Sequence, residues 1–282
     1  MNFKKEIDIS KISYEDEWNY TSEFYHKKGY YDILSNRFEN GLRILEIGCG
    51  AGYSAISLSK KAEKLISIDE NSYCINSTFK RLNKLKIDAS KNIRGEIIAD
   101  NYSSSYIMDY VNNFDNKIHK VNCIKGDVLL DNQLLEFLKS EKKFDLITCW
   151  MIGAHGLILN HEEQLKKGRT AINRQPQMVQ DYKFDVLAEV AKQAVQLLTK
   201  EGTLNIVERL NLENAKQFTE DEILNNFASK IEPYGLNLQN TNQLLEIETR
   251  SKMEMVSPNG TDKVNMIGLL TMDFKKTISN RV

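Results

Sequence analysis

Apolar positions along the chain follow two alternating periods. From about Leu42, short runs of aliphatic and β-branched residues alternate with stretches in which apolar side chains recur every three or four positions. That alternation predicts a parallel sheet wound with crossover helices. The strand-like runs are Leu42–Ile47, Leu65–Ile68, Val121–Ile124, Phe144–Cys149 and Thr203–Val207. Between the last two, Phe184, Leu187, Ala188, Ala191, Val195 and Leu198 predict a helix over about 179–199 that packs on the sheet, with Gly202 as its stop. Thr219 with Glu222 three residues on is a capping box, and the helix it opens carries Ile223, Leu224, Phe227 and Ile231 until Pro233 and Gly235 end it. Runs near Leu244–Thr249 and Val264–Phe274, joined across Pro258-Asn259-Gly260, predict a hairpin-like ending.

Three segments exceed this alternating unit. The first 40 residues are rich in aromatics (Tyr14, Trp18, Tyr20, Phe24, Tyr25, Tyr30, Tyr31) and predict a helical cap, and residues about 87–118 and 151–178 are insertions. Material attached at the carboxyl ends of strands in an open α/β sheet lies over the ligand crevice. The cap and the second insertion are therefore expected to build the substrate site. Only three prolines occur, with no linker-like tract and no repeat. One elaborated unit results: a cap over 1–40 and a main domain over 41–282 that carries both insertions.

The chemistry concentrates in Leu45-Glu46-Ile47-Gly48-Cys49-Gly50-Ala51-Gly52-Tyr53-Ser54, where a strand turns into a helix. Glycines there let the backbone approach a ligand closely and present helix N-terminal N–H groups to an anion. The order is Glu-x-Gly-x-Gly-x-Gly; the dinucleotide fingerprint GxGxxG would need a glycine where Tyr53 stands. Asp69 ends the next strand, 21 residues after Gly48, where a carboxylate can accept both hydroxyls of a ribose. Glu70 is placed to share that role, and a solvated strand end is the competing reading of Asp69. The third strand ends at Gly126-Asp127, and the fourth opens at Phe144-Asp145, 18 residues later. Ile97-Ile98-Ala99-Asp100 offers a rival third strand, and the spacing to Asp145 decides for Asp127.

With these residues in this order, the chain resembles the class I S-adenosylmethionine-dependent methyltransferase family over about residues 42–210. The resemblance implies a Rossmann-like, doubly wound, mostly parallel sheet of the seven-stranded methyltransferase type, here with an N-terminal helical cap and inserted lid segments. It also implies S-adenosylmethionine as cofactor. Glu46, Gly48, Cys49, Gly50 and Gly52 would surround its methionine part, Asp69 with Glu70 its ribose, and Gly126, Asp127 and Val128 its adenine. Trp150 would wall the cofactor and acceptor pocket, or belong to the core.

Methyl transfer from a sulfonium asks mainly for alignment in a dry site, and for a base when the acceptor must lose a proton. In Thr148-Cys149-Trp150-Met151-Ile152-Gly153-Ala154-His155-Gly156, His155 is the imidazole at a strand's carboxyl end and the candidate general base; a loop histidine bound to backbone is the alternative. Tyr14, Trp18, Arg174 and Glu208 are the candidate substrate residues. Arg209 beside Glu208 makes a surface ion pair an alternative for that site, and Arg169 with Arg174 a solvated basic lid. His161, Glu162 and Glu163 read as solvated charges rather than a metal site.

Composition narrows the acceptor. Lys plus Arg (38) nearly balances Asp plus Glu (39), so no global positive field exists to hold a phosphate backbone. No (Asp/Asn/Ser)-Pro-Pro-(Tyr/Phe) run and no Pro-Cys nucleophile occur, which disfavours DNA. The N-terminus lacks a signal-like apolar stretch, and the run Leu146–Leu159 is too short to span a bilayer, so a cytoplasmic protein without membrane contact is expected. Cys49, Cys74, Cys123 and Cys149 show no ligand spacing and read as reduced. The expected activity is metal-independent transfer to an O or N atom of a small molecule. RNA or protein methylation, and a non-catalytic scaffold, are the alternatives.

Overall fold

The computed structural model describes residues 3–101, 105–110, 114, 119–129, 131–153, 176–215, 218–248, 254–257, 260–263 and 266–277. Five parallel strands form its centre: β1 (Leu42–Ile47), β2 (Ala62–Asp69), β6 (Val121–Lys125), β7 (Phe144–Trp150) and β8 (Leu198–Asn211). They are apolar along most of their length because helices cover both sheet faces. Helices α1 (Phe3–Lys27), α2 (Tyr30–Ser35), α3 (Tyr53–Lys61) and α4 (Ser72–Lys84) lie on one face. On the other are α5 (Asn132–Ser140), α6 (Pro176–Leu197) and α8 (Glu220–Ile231), the last reached through a single helical turn, α7 (Leu212–Ala215).

Among the described residues the main sheet holds nine strands, in the order β10 (Gln243–Ile247), β13 (Ile267–Lys276), β8, β7, β1, β2, β6 and β3 (Ala89–Asn92), with β9 (Leu236–Leu238) also on β13. Seven are exceeded for two reasons. Within the expected first insertion, β3 (Ala89–Asn92) pairs in parallel with β6 and extends that edge. At the other edge, β9 (Leu236–Leu238) and β10 (Gln243–Ile247) divide one antiparallel partner, β13 (Ile267–Lys276), between them. Among the described residues, the rival third strand, β4 (Glu96–Asn101), pairs only with β5 (Ser105–Tyr110), outside the main sheet. The expected terminal pair exists as β10 and β13, with Leu244 opposite Leu270. The segment between them carries its own ribbon, β11 (Glu254–Ser257) with β12 (Gly260–Lys263).

Thr219 accepts from the Glu222 N–H at 3.2 Å and Glu222 accepts from the Thr219 N–H at 2.7 Å, so the capping box closes as the sequence predicts. Gly202 does not stop the preceding helix. That helix ends at Leu197, and Gly202 lies inside β8 where the register against β7 slips between Phe144/Leu198 and Leu146/Thr203. A Cβ there would stand 2.9 Å from the Phe144 carbonyl oxygen, so the glycine serves strand contact rather than helix termination.

Candidate active site

The carboxyl ends of β1, β2, β6 and β7 open onto one cleft. It lies where the strand order reverses, with β2 on one side of β1 and β7 on the other, the usual place for a ligand in an open α/β sheet. Gly48, Gly50 and Gly52 have φ of 76°, 50° and 85°, a left-handed backbone that side-chain-bearing residues rarely adopt, and they turn the chain from β1 into α3. Four amides of this turn point inward rather than at a ligand. Gly48 and Cys49 donate to the Ile68 carbonyl at 2.8 and 3.0 Å, Gly50 to Asp69 Oδ2 at 2.9 Å, and Gly52 to the Cys49 carbonyl at 2.9 Å. The loop is thereby bolted to β2, and what it offers the cleft is bare glycine surface.

Asp69 accepts from Gly50 and, through Oδ1, from the Asn71 N–H at 2.9 Å. Burial, then the neighbouring Glu70 charge, raises its pKa to about 7 against these hydrogen bonds. Across the cleft, Asp127 is 2% exposed and takes the Leu129 N–H on Oδ1 at 2.8 Å, while its Oδ2 has no hydrogen-bond partner among the described residues. Burial and then Glu70 push it too up to about 7. A buried acceptor without a donor, on a residue that lines the cleft, fits an amino group brought by a ligand. The neighbouring Val128 carbonyl is held by Gln193 Nε2 of α6 at 2.9 Å.

Gly48, Gly50, Asp69, Glu70, Gly126, Asp127, Val128, Tyr14 and Trp18 all line the cleft. Five other candidates stand elsewhere. Glu46 is 3% exposed beneath the floor, where Ser67 Oγ donates to Oε2 at 2.6 Å. The Cys49 thiol lies 3.4 Å from Thr78 Oγ1, and Gly52 presses against Thr78. Trp150 turns away from the cleft, stacking on Tyr31 and donating from Nε1 to Asn205 Oδ1 at 2.5 Å. Glu208 is likewise remote: it is buried, and Lys183 of α6 pairs with it. Arg209 leaves β8 on the opposite face and lies over the Trp18 ring, so the two do not form a pair. His155 and Arg174, with Arg169 and the His161–Glu163 group, lie outside the described residues.

Residues not singled out from the sequence complete the walls: Ile47, Ile68, Met151, Ile152, Gly153, and Tyr182 with Val186 from α6. Ile152 covers the Gly48 Cα, Trp18 the Gly50 Cα, and the Tyr14 hydroxyl the Gly153 Cα; none of these glycines has room for a Cβ. Met151 holds a left-handed φ of 53° and donates its N–H to the Val207 carbonyl at 2.7 Å. Burial keeps the Tyr14 hydroxyl protonated, its pKa well above the ordinary value. Among the described residues, no three His, Cys, Asp or Glu gather as a metal site, the four cysteines are free and buried, and no helix is long and apolar enough to cross a membrane.

Residues 8–101 match the family model of protein-L-isoaspartate(D-aspartate) O-methyltransferase (PCMT). No curated protein sequence matches the chain. Among solved structures it is similar to a TehB-like SAM-dependent methyltransferase from Corynebacterium glutamicum, at 14% identity and a TM-score of 0.45 over 94% of this chain and 99% of that one. The N-methyltransferase NodS from Bradyrhizobium japonicum overlaps at 12% identity and a TM-score of 0.43, covering 90% and 97%. The M. jannaschii tRNA m1G37 methyltransferase does so at 12% and 0.42, covering 89% of this chain but 48% of its own length. At this identity and overlap, no residue's role is transferred from any of the three. The matched segment 8–101 runs from α1 through the glycine turn to β4 and so includes one whole wall of the cleft. The likeness to this methyltransferase family model thus covers the glycine turn and the end of β2, set in a doubly wound, mostly parallel sheet.

Proposed function

We propose that the cleft binds S-adenosylmethionine along the ends of β1, β2 and β6 and that the enzyme methylates an oxygen or nitrogen atom of a small molecule without a metal ion. The observation that carries this reading is the convergence of Gly48, Gly50, Asp69 and the unpartnered Asp127 Oδ2 on one cleft. In it, Asp69 accepts ribose hydroxyls, Asp127 with the backbone of Val128 meets the adenine amino group, and Gly48 and Gly50 admit the methionine portion. The bound cofactor supplies a sulfonium-activated methyl group. The chain's own residues align the acceptor and exclude water, which can supply up to about 7–11 kcal/mol of the barrier reduction. Tyr14, held protonated beside Gly153, is a hydrogen-bond donor at the cleft, and Trp18 closes it over Gly50.

The helix laid over the cleft favours a small acceptor, because a macromolecule would have to thread a side chain or base beneath Tyr14 and Trp18. A protein carboxylate is the second reading, favoured by the family match over residues 8–101. Calorimetric titration with S-adenosylmethionine and S-adenosylhomocysteine tests the cofactor reading, and micromolar binding of both supports it. Radiolabelled methyl transfer to a metabolite extract, to denatured protein and to tRNA then separates the acceptors. Label appearing only in macromolecules refutes the small-molecule reading.

A further inference from the structure

Resting on the cofactor reading above, we propose that Lys11 is a positioning residue for the cofactor: it supplies, from α1, the counter-charge that holds the carboxylates at the ends of β2 and β6 as acceptors for ribose and adenine. The helix is turned against expectation at this point. Ile9 and Ile12 are 57% and 40% exposed, while Lys11 between them is 2% exposed. Burying an ammonium in preference to two isoleucines costs free energy unless the charge is paired. Its Nζ is 3.3 Å from Glu70 Oε2, and its carbonyl accepts from Asn71 Nδ2 at 2.8 Å. Asn71 in turn caps α4 by accepting the Tyr73 N–H at 3.0 Å and gives its own N–H to Asp69. Lys11 thus meets Glu70 through its ammonium and Asn71 through its backbone carbonyl, and Asn71 carries the link on to Asp69.

The charges around this point are mostly acidic. Asp69 feels Glu70 on its own turn, and Tyr14 of α1, Cys49 of the glycine turn and Cys74 of α4 lie near it. Asp127 feels Glu70 and Asp131, the latter paired with Arg94. Glu70 raises both cleft carboxylates and Lys11 draws both down. Without the ammonium, the carboxylates would hold their protons to higher pH and would donate where the cofactor also donates. Because Tyr14 and Trp18 stand one and two turns further along the same helix, the contact that sets the cofactor carboxylates also seats the aromatic cover.

The test is calorimetric titration of the full chain with S-adenosylhomocysteine from about pH 5.5 to 8.5, for the wild type, Lys11→Met, Glu70→Gln and the double variant. Wild-type affinity is expected to fall as pH drops through about 7. In Lys11→Met the midpoint moves up by about one unit, with affinity about tenfold weaker at pH 7. Glu70→Gln moves it down, and the double variant returns towards the wild type. A loss in Lys11→Met that is equal at every pH overturns the proposal, since lost packing alone would produce it. Should Lys11→Met fail to fold, an unmoved midpoint in Glu70→Gln overturns it instead. Absence of binding by the wild type refutes the cofactor reading itself, whereas wild-type binding with unmoved variant profiles refutes only the role of Lys11.

Discussion

Asp127→Asn should make the ligand-free protein more stable and a poorer binder of its cofactor. Burial, then the charge of Glu70, raises the Asp127 pKa from 3.8 to about 7 in the folded chain. Because the folded value lies above the unfolded one, the native state holds the extra proton between about pH 4 and pH 7, and stability falls as pH rises through that window. A shift of about three units caps the loss at about 4 kcal/mol above pH 7. Asparagine keeps an oxygen for the Leu129 N–H but leaves its amide nitrogen without a partner, at a cost of about 1–3 kcal/mol. The net gain expected at pH 8 is about 1–3 kcal/mol, shrinking towards zero or below by pH 5.

Binding should move the other way. The amide turns a donor towards the adenine amino group, also a donor, and forfeits a hydrogen bond to a charged group worth about 1.5–3 kcal/mol. Affinity for S-adenosylhomocysteine should fall about 10- to 100-fold. Urea denaturation at pH 5 and pH 8 with calorimetric titration measures both quantities. A variant less stable than the wild type at pH 8, or one that binds with unchanged affinity, would refute the reasoning, because either result removes Asp127 as a strained acceptor held for a ligand.

Other perturbations bear on separate parts of the site. Asp69→Ala should weaken S-adenosylhomocysteine binding by about tenfold or more while the chain stays folded by circular dichroism; normal affinity would end the ribose assignment. Gly52→Ala puts a side chain at φ 85° with its Cβ within 3 Å of the Thr78 backbone, and should cost about 2–4 kcal/mol in a denaturation midpoint. A loss below about 1 kcal/mol would show that the turn yields. His155→Ala separates the two readings of that residue: a general base predicts turnover lower by about 100-fold or more at neutral pH, and a structural loop histidine predicts little change.

Much of the architecture was readable because it is local. The strands buried on both faces announce themselves as apolar runs, the Thr219–Glu222 box lies within one turn, and the glycine turn with Asp69 and Asp127 follows from spacing at strand ends. What escaped depends on contacts distant in sequence. Ala89–Asn92 has little apolar character and becomes a strand only because β6 offers a parallel edge. Lys11 had a signal that went unused: Lys11, Tyr14, Trp18, Ser22 and Tyr25 recur at helical spacing along one face of α1, so a lysine in that row had to meet an acid. Trp150 kept two readings because a strand's last side chain faces either ligand or core according to its parity. Here it shares the face of Leu146, against Tyr31.

Glu208 and Arg209 show the same limit most sharply. A reading that ends the strand at Val207 leaves both residues in a crevice loop, free to pair with each other or with an acceptor. β8 continues to Asn211 because β13, some sixty residues later in the chain, pairs with it, setting Leu270 opposite Glu208 and Leu269 opposite Arg209. Once both residues belong to a strand, their side chains must point to opposite faces of the sheet. The carboxylate therefore goes to Lys183 beneath α6 and the guanidinium to Trp18 beneath α1. One added antiparallel strand converts an apparent ion pair into two separate contacts, and the cation is the one that ends beside the cleft, next to the aromatic cover.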